Sequence, residues 1–125
     1  YGLGSPEDGL YAKTDWIDRH RETALAIRRA TLAGWEYARD HPEEALDIVI
    51  AEAHRAKLPA NRPHERWMLR HILDSIFISG TKPEEVGTLS PSAFKASTQA
   101  LIDAGLLKKT PDFSRFAPFN TESSR

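Results

Sequence analysis

The chain of 125 residues has no cysteine and a single methionine. Without cysteine there can be no disulfide, no thiolate metal site and no thiol nucleophile, although the redox compartment stays open. Long hydrophobic runs are missing too, and nothing approaches the roughly 20 apolar residues needed to cross a bilayer. Neither sign of charge dominates: 17 Lys and Arg face 18 Asp and Glu, for a net charge of −1 and a pI near 6.6. No overall electrostatic pull toward nucleic acid or an anionic membrane follows from that balance. What is present is ordinary for a soluble globular domain. A 40% hydrophobic and 28% charged composition argues against disorder, and the length suffices for one small domain with a core.

The opening YGLGSPEDGLYAKTDW begins on Tyr1, not Met, and shows no signal-peptide pattern. It reads as a chain met part-way along, so the expectation is a C-terminal fragment of a longer protein. A β-favouring run over about 9–13 predicts a short opening strand.

Helical signals fill the rest. Thr14 suits an N-cap, and Asp15 and Asp18 suit the positive end of a helix dipole. The helix they start is expected to reach about Arg39, with a break near His20. Ala24, Ile27, Thr31, Gly34, Trp35 and Ala38 fall at the spacing of one buried stripe. A glycine on such a stripe costs roughly 1 kcal/mol against alanine, so the expectation at Gly34 is a second element close to the backbone. His41-Pro42 punctuates the run, since proline fits the first turn of a new helix and disfavours helix just before it. That second helix is expected from about Pro42 to Ala56, burying Ala45, Leu46, Val49, Ile50 and Ala53. Asn61 predicts the cap of a third helix reaching about Ser79, with a broad apolar face from Trp67, Met68, Leu69, Ile72, Leu73, Ile76 and Phe77. Ser90-Pro91 opens a fourth, closed by Gly105. Phe113, Phe116 and Phe119 predict a docked tail over 108–119, and 120–125 is expected to fray. The domain reading is thus strand 9–13, helical flank 14–107, docking tail 108–119 and a loose end.

Candidate chemistry is sparse. His64-Glu65-Arg66-Trp67-Met68 starts like a zinc-protease helix, but methionine stands where the second histidine belongs. His71 lies two turns beyond His64, too far to share one ion without further ligands, so no metal is expected. Glu43-Glu44 and Glu84-Glu85 sit where helix starts want acids, which dipole compensation explains without acid–base catalysis. Ser90 caps a helix rather than attacking a substrate. YGLGSPEDG is too glycine-poor for a phosphate loop, and Arg66 and Arg70 make no basic stripe for a nucleic acid. No catalytic residue, cofactor or metal is expected.

The blocks RRATLAGWEYARDHPEEALDIV, NRPHERWML and GTLSPSAFKASTQALIDAGLL resemble the C-terminal part of an ABC-transporter substrate-binding protein. The family is the one that handles thiamine pyrimidine precursors, aliphatic sulfonates, taurine and nitrate. Ala30, Gly34, Trp35, Tyr37, Ala38, His41, Pro42, Glu43, Glu44 and Ala45 stand where its A-x-x-x-G-W-x-Y-A helix and H-P-E-E-A turn would place them. The likeness runs from Tyr1 to about Phe119.

That resemblance implies a mainly α piece, about four helices after the opening strand, of a two-lobed α/β periplasmic-binding-protein fold of type II. It implies a binder of a small polar organic molecule and no enzyme. The partners it implies are permease subunits and no nucleic acid, with membrane contact only through the permease or an upstream lipid anchor. Localisation would be periplasmic or otherwise extracytoplasmic. Two alternatives share the fold: the ligand-sensing ectodomain of a signalling receptor, and a thiamine-pyrimidine synthase-like enzyme. Cleft contacts in such binders come from strand ends and crossover loops. Only residues 1–13 qualify here, which makes Tyr1, Asp8 and Tyr11 the candidate ligand-binding residues. Tyr1 would stack on a ring, and Asp8 and Tyr11 would hydrogen-bond a polar or cationic group.

Overall fold

The computed structural model describes residues 9–120. The described residues are mainly helical, with six α-helices and no strand: α1 (Thr14–Arg19), α2 (Arg21–Asp40), α3 (Pro42–Arg55), α4 (Arg62–Ile76), α5 (Pro91–Asp103) and α6 (Phe113–Phe116), plus a 3-10 turn at Pro83–Glu85. The expected strand at Gly9–Lys13 does not form. The segment has no regular structure, because no partner strand among the described residues offers it a ladder.

The chain divides into two compact units, one of residues 29–87 and one of residues up to 28 together with 88 onward. In the first of these, α3 and α4 pack together. Glu43 faces Arg66 and Asp47 faces Arg62, an antiparallel order. Leu46 is fully buried and Ala45, Ile50 and Ala53 are half-buried, but Val49, expected inside, is 47% exposed. Asn61 caps α4 as its residue type predicts, its side chain accepting from the His64 N–H. The helix ends at Ile76, short of Ser79, with Phe77 as its C-cap. Leu69, Ile72, Leu73, Ile76 and Phe77 turn inward, whereas Trp67 is 56% exposed, so the apolar face is narrower than its sequence suggests. The Arg39 guanidinium covers the Phe77 ring, 4.7 Å from its centroid.

The stripe on α2 is rotated from expectation. Leu25 and Leu32 join Ala24, Thr31, Trp35 and Ala38 on the shielded side, while Ile27 and Gly34 face out. A Cβ built on Gly34 meets nothing within 4 Å, so no element approaches it. The close approach lies instead at Gly87, where a Cβ would stand 2.7 Å from Leu32 Cδ2 and where φ is +72°. Two leucines outweigh one isoleucine and a glycine in deciding which side is buried.

The end of α3 has a lysine where a glycine is usual. Lys57 adopts φ 57°, its N–H donates to the His54 carbonyl at 3.0 Å, and the next N–H, of Leu58, donates to Ala53 at 2.9 Å. That is a Schellman turn. The same turn closes α5 through Gly105 to Ile102 and Leu106 to Leu101, with Gly105 at φ +72°.

In the other unit, Thr14 is the first helical residue of α1 and Lys13, not Thr14, holds the cap position, with no side-chain cap bond. The helix breaks at His20, whose ring lies against Trp16 with centroids 5.0 Å apart. Ser90 caps α5, accepting from the Ala93 N–H, and Pro91 takes the first position. Phe94 and Thr98 are buried on its inner face. Phe113 and Phe116 of α6 each pack on Phe94, with centroids 5.1 Å apart, and Arg21 caps the Phe119 ring at 5.0 Å. Asn120, where fraying was expected to start, is held: the Leu89 N–H donates to its Oδ1 at 2.7 Å and its Nδ2 donates back to the Leu89 carbonyl at 3.0 Å. Residues 121–125 lie outside the described residues.

Candidate functional site

Of the three residues expected to meet a ligand, Tyr1 and Asp8 lie outside the described residues. Tyr11 sits on the irregular segment before α1 with 78% of its surface exposed. Its ring lies along Gly9, where a Cβ would meet the Cζ and the hydroxyl at 3.4 Å. Glycine therefore leaves the ring room to lie flat over the backbone. No cleft among the described residues encloses the hydroxyl.

The Trp35–Ala45 block forms a built corner between α2 and α3. Tyr37 stacks on His41 with centroids 4.4 Å apart, and its hydroxyl donates to Glu44 Oε2 at 2.8 Å. That hydrogen bond, with some desolvation and the Glu44 charge, raises the Tyr37 pKa above its ordinary 10.0. His41 continues the chain without a gap: its N–H donates to Tyr37 O at 2.8 Å and its carbonyl accepts from Ala45 at 3.0 Å.

Beside the corner, one carboxylate holds two arginines. Glu43 takes Arg66 in two parallel bonds, Nε to Oε1 at 3.0 Å and Nη2 to Oε2 at 2.8 Å, and Arg62 Nη2 at 2.9 Å. Arg62 also reaches Asp47 at 2.5 Å. Hydrogen bonds from Arg66 first and Arg62 second pull Glu43 down to about 2. Sequence spacing gave no hint of this cluster, because Glu43 and Arg66 stand 23 residues apart. Dipole compensation alone does not account for Glu43. The cluster joins α3 to α4 with its charges satisfied, and a spent carboxylate of this kind offers no acid–base chemistry.

His64 and His71 flank the exposed Trp67, with centroids 6.2 Å and 4.4 Å away. Among the described residues no three His, Asp or Glu side chains gather as a metal would need. None of the described helices is long and apolar enough to cross a membrane.

Residues 1–45 match the protein-family model described as NMT1/THI5 like. The match spans a little over a third of the chain and ends in the first turn of α3. It takes in Tyr11 and the whole Tyr37–Glu44 corner, and leaves α4 and α5 beyond it. At that coarse level it supports the likeness carried by Gly34, Trp35, Tyr37, His41 and Pro42. No curated protein and no solved structure matches the chain.

Proposed function

We propose that the chain is part of a solute-binding protein, one that captures a small polar organic molecule outside the cytoplasmic membrane and passes it to the permease of an ABC importer. The observation that carries this reading is the NMT1/THI5-like match over residues 1–45. The ligand classes that fit are those of the resemblance: thiamine pyrimidine precursors, sulfonates, taurine or nitrate. In this reading the protein releases its ligand unchanged and turns nothing over. Tyr11, together with Tyr1 and Asp8, belongs to the ligand-facing stretch, and a phenol at 78% exposure is free to close on a ligand without losing an existing partner. The α2–α3 corner and the Glu43 cluster act as scaffold.

Calorimetric titration against a pyrimidine precursor, an alkanesulfonate, taurine and nitrate tests it. One of these should bind saturably at one site, unaltered after incubation. Tyr11→Ala should weaken that binding about tenfold, the worth of one hydrogen bond to a polar ligand. Chemical conversion of the bound compound, or no binding to any of the four, would overturn the reading.

A further inference from the structure

Between α1 and the α6 segment lies a depression of about 330 Å³, lined by Thr14, Ile17, Asp18, Ser114, Arg115 and Pro118. Thr14, Ile17 and Asp18 share one face of α1 at i, i+3 and i+4, so the helix period itself brings them to the rim together. Ile17 and Pro118 are half-buried and form an apolar floor, while the four polar residues are exposed around it.

The two charges on this rim are of opposite sign and are not spent on each other. Among the described residues Asp18 makes no ion pair, and the Arg115 guanidinium makes no side-chain hydrogen bond. Asp112, bonded to the Ser114 hydroxyl at 2.6 Å and to the Arg115 N–H at 2.9 Å, feels the Arg115 charge only at a distance. Arg19, by contrast, pairs directly with Asp15 at 3.0 Å and Arg55 with Glu52 at 2.7 Å. Opposed, uncommitted charges over an apolar floor are the complement of a short zwitterion.

We propose that this depression is a binding site for a small zwitterion, an ammonium at one end and an oxyanion at the other, joined by a short aliphatic stem. The ammonium meets the Asp18 carboxylate and the Thr14 hydroxyl. The oxyanion meets the Arg115 guanidinium, whose planar fork suits two oxygens at once. The methylenes lie on Ile17 and Pro118. The volume falls at the small end of the range that ligand sites occupy. The proposal does not depend on the solute-binding reading, which rests on the stretch before α1.

The test is a titration of the whole protein with γ-aminobutyrate, followed by the amide resonances of α1 and α6, with butylamine and butyrate as single-charge controls. Saturable shifts confined to those segments are expected, with γ-aminobutyrate bound at least tenfold tighter than either control. Asp18→Asn should weaken γ-aminobutyrate at least tenfold and leave butyrate unchanged, and Arg115→Gln should weaken it equally and leave butylamine unchanged. Both residues are exposed, so circular dichroism should report unchanged helicity in each variant. Tyr11→Ala should not alter γ-aminobutyrate binding, which separates this site from the one proposed above. Absence of saturable shifts, equal binding of the three probes, or indifference to both substitutions would overturn the proposal.

Discussion

The Tyr37 hydroxyl donates to the Glu44 carboxylate at 2.8 Å, reaching over the His41-Pro42 step that separates their helices. One side chain from the end of α2 and one from the start of α3 thus fix the corner, with the His41 ring stacked on that of Tyr37. Glu44 does this while also sitting in the first turn of α3, where a negative charge is favourable. Its presence raises the Tyr37 pKa, chiefly through the hydrogen bond that only the protonated phenol can donate. Glu44→Ala should bring Tyr37 ionisation down toward its ordinary range. Alkaline absorbance titration, with Tyr37→Phe subtracted to isolate this phenol, measures the change; an unmoved curve would show that Glu44 is not its cause.

Glu43 sets a stability dependence at acid pH. Its carboxyl is depressed from 4.5 to about 2, so the folded state favours the ionised form. A depressed folded pKa gives stability that is fully present above 4.5 and is lost as pH falls toward 2. Denaturant midpoints measured across that window should fall more steeply for the parent than for Glu43→Gln, and the two curves should run parallel above it. The partners are substantially exposed, so added salt should flatten the difference.

Gly34 and Gly87 should respond to alanine in opposite directions. Nothing lies within 4 Å of a Cβ at Gly34, so Gly34→Ala recovers helix propensity and should stabilise by up to about 1 kcal/mol. At Gly87 a Cβ meets Leu32 at 2.7 Å and the backbone is left-handed. Leucine's end can swing aside, so the backbone term dominates, and Gly87→Ala should cost about 1 kcal/mol or more. Thermal unfolding of the pair decides it, and like-signed shifts would sink the assignment.

Lys57 carries the same backbone conformation without the residue that suits it. Lys57→Gly keeps both Schellman hydrogen bonds and removes the clash of a Cβ in the left-handed region. It should stabilise the α3 terminus by about 1 kcal/mol. A midpoint no higher than the parent's would mean that the lysine side chain contributes as much as the strain it causes.

These residues also mark where the sequence was readable. Asn61, Ser90 and Gly105 announce helix ends because they act on the backbone beside them, and each does so as their types predict. The break at His20 and the corner at His41-Pro42 were legible for the same local reason. Position around a helix was harder: apolar residues flank α2 on both sides, and periodicity alone could not choose Leu25 and Leu32 over Ile27 and Gly34. The strand at Gly9–Lys13 failed because a strand is a property of two segments, and propensity reports on one. The Glu43 cluster was silent since its members meet only through the packing of α3 on α4. Of the candidate site, Tyr11 alone can be placed, and its exposure was not visible in its spacing.

The clasp between Leu89 and Asn120 makes a ring of the chain between two residues 31 positions apart. Closing a flexible loop of that size costs on the order of 3 kcal/mol of chain entropy. Two partly buried hydrogen bonds return only about 1 kcal/mol each, so the clasp cannot shut the ring unaided. The larger share falls to Phe94 with Phe113 and Phe116, whose contacts bring the two ends near before the amide engages. Dependence therefore runs one way. Loss of the Phe94 ring should set Asn120 and the Leu89 N–H free to exchange with solvent, whereas Asn120→Ala should leave the three phenylalanines packed and only the last rung undone.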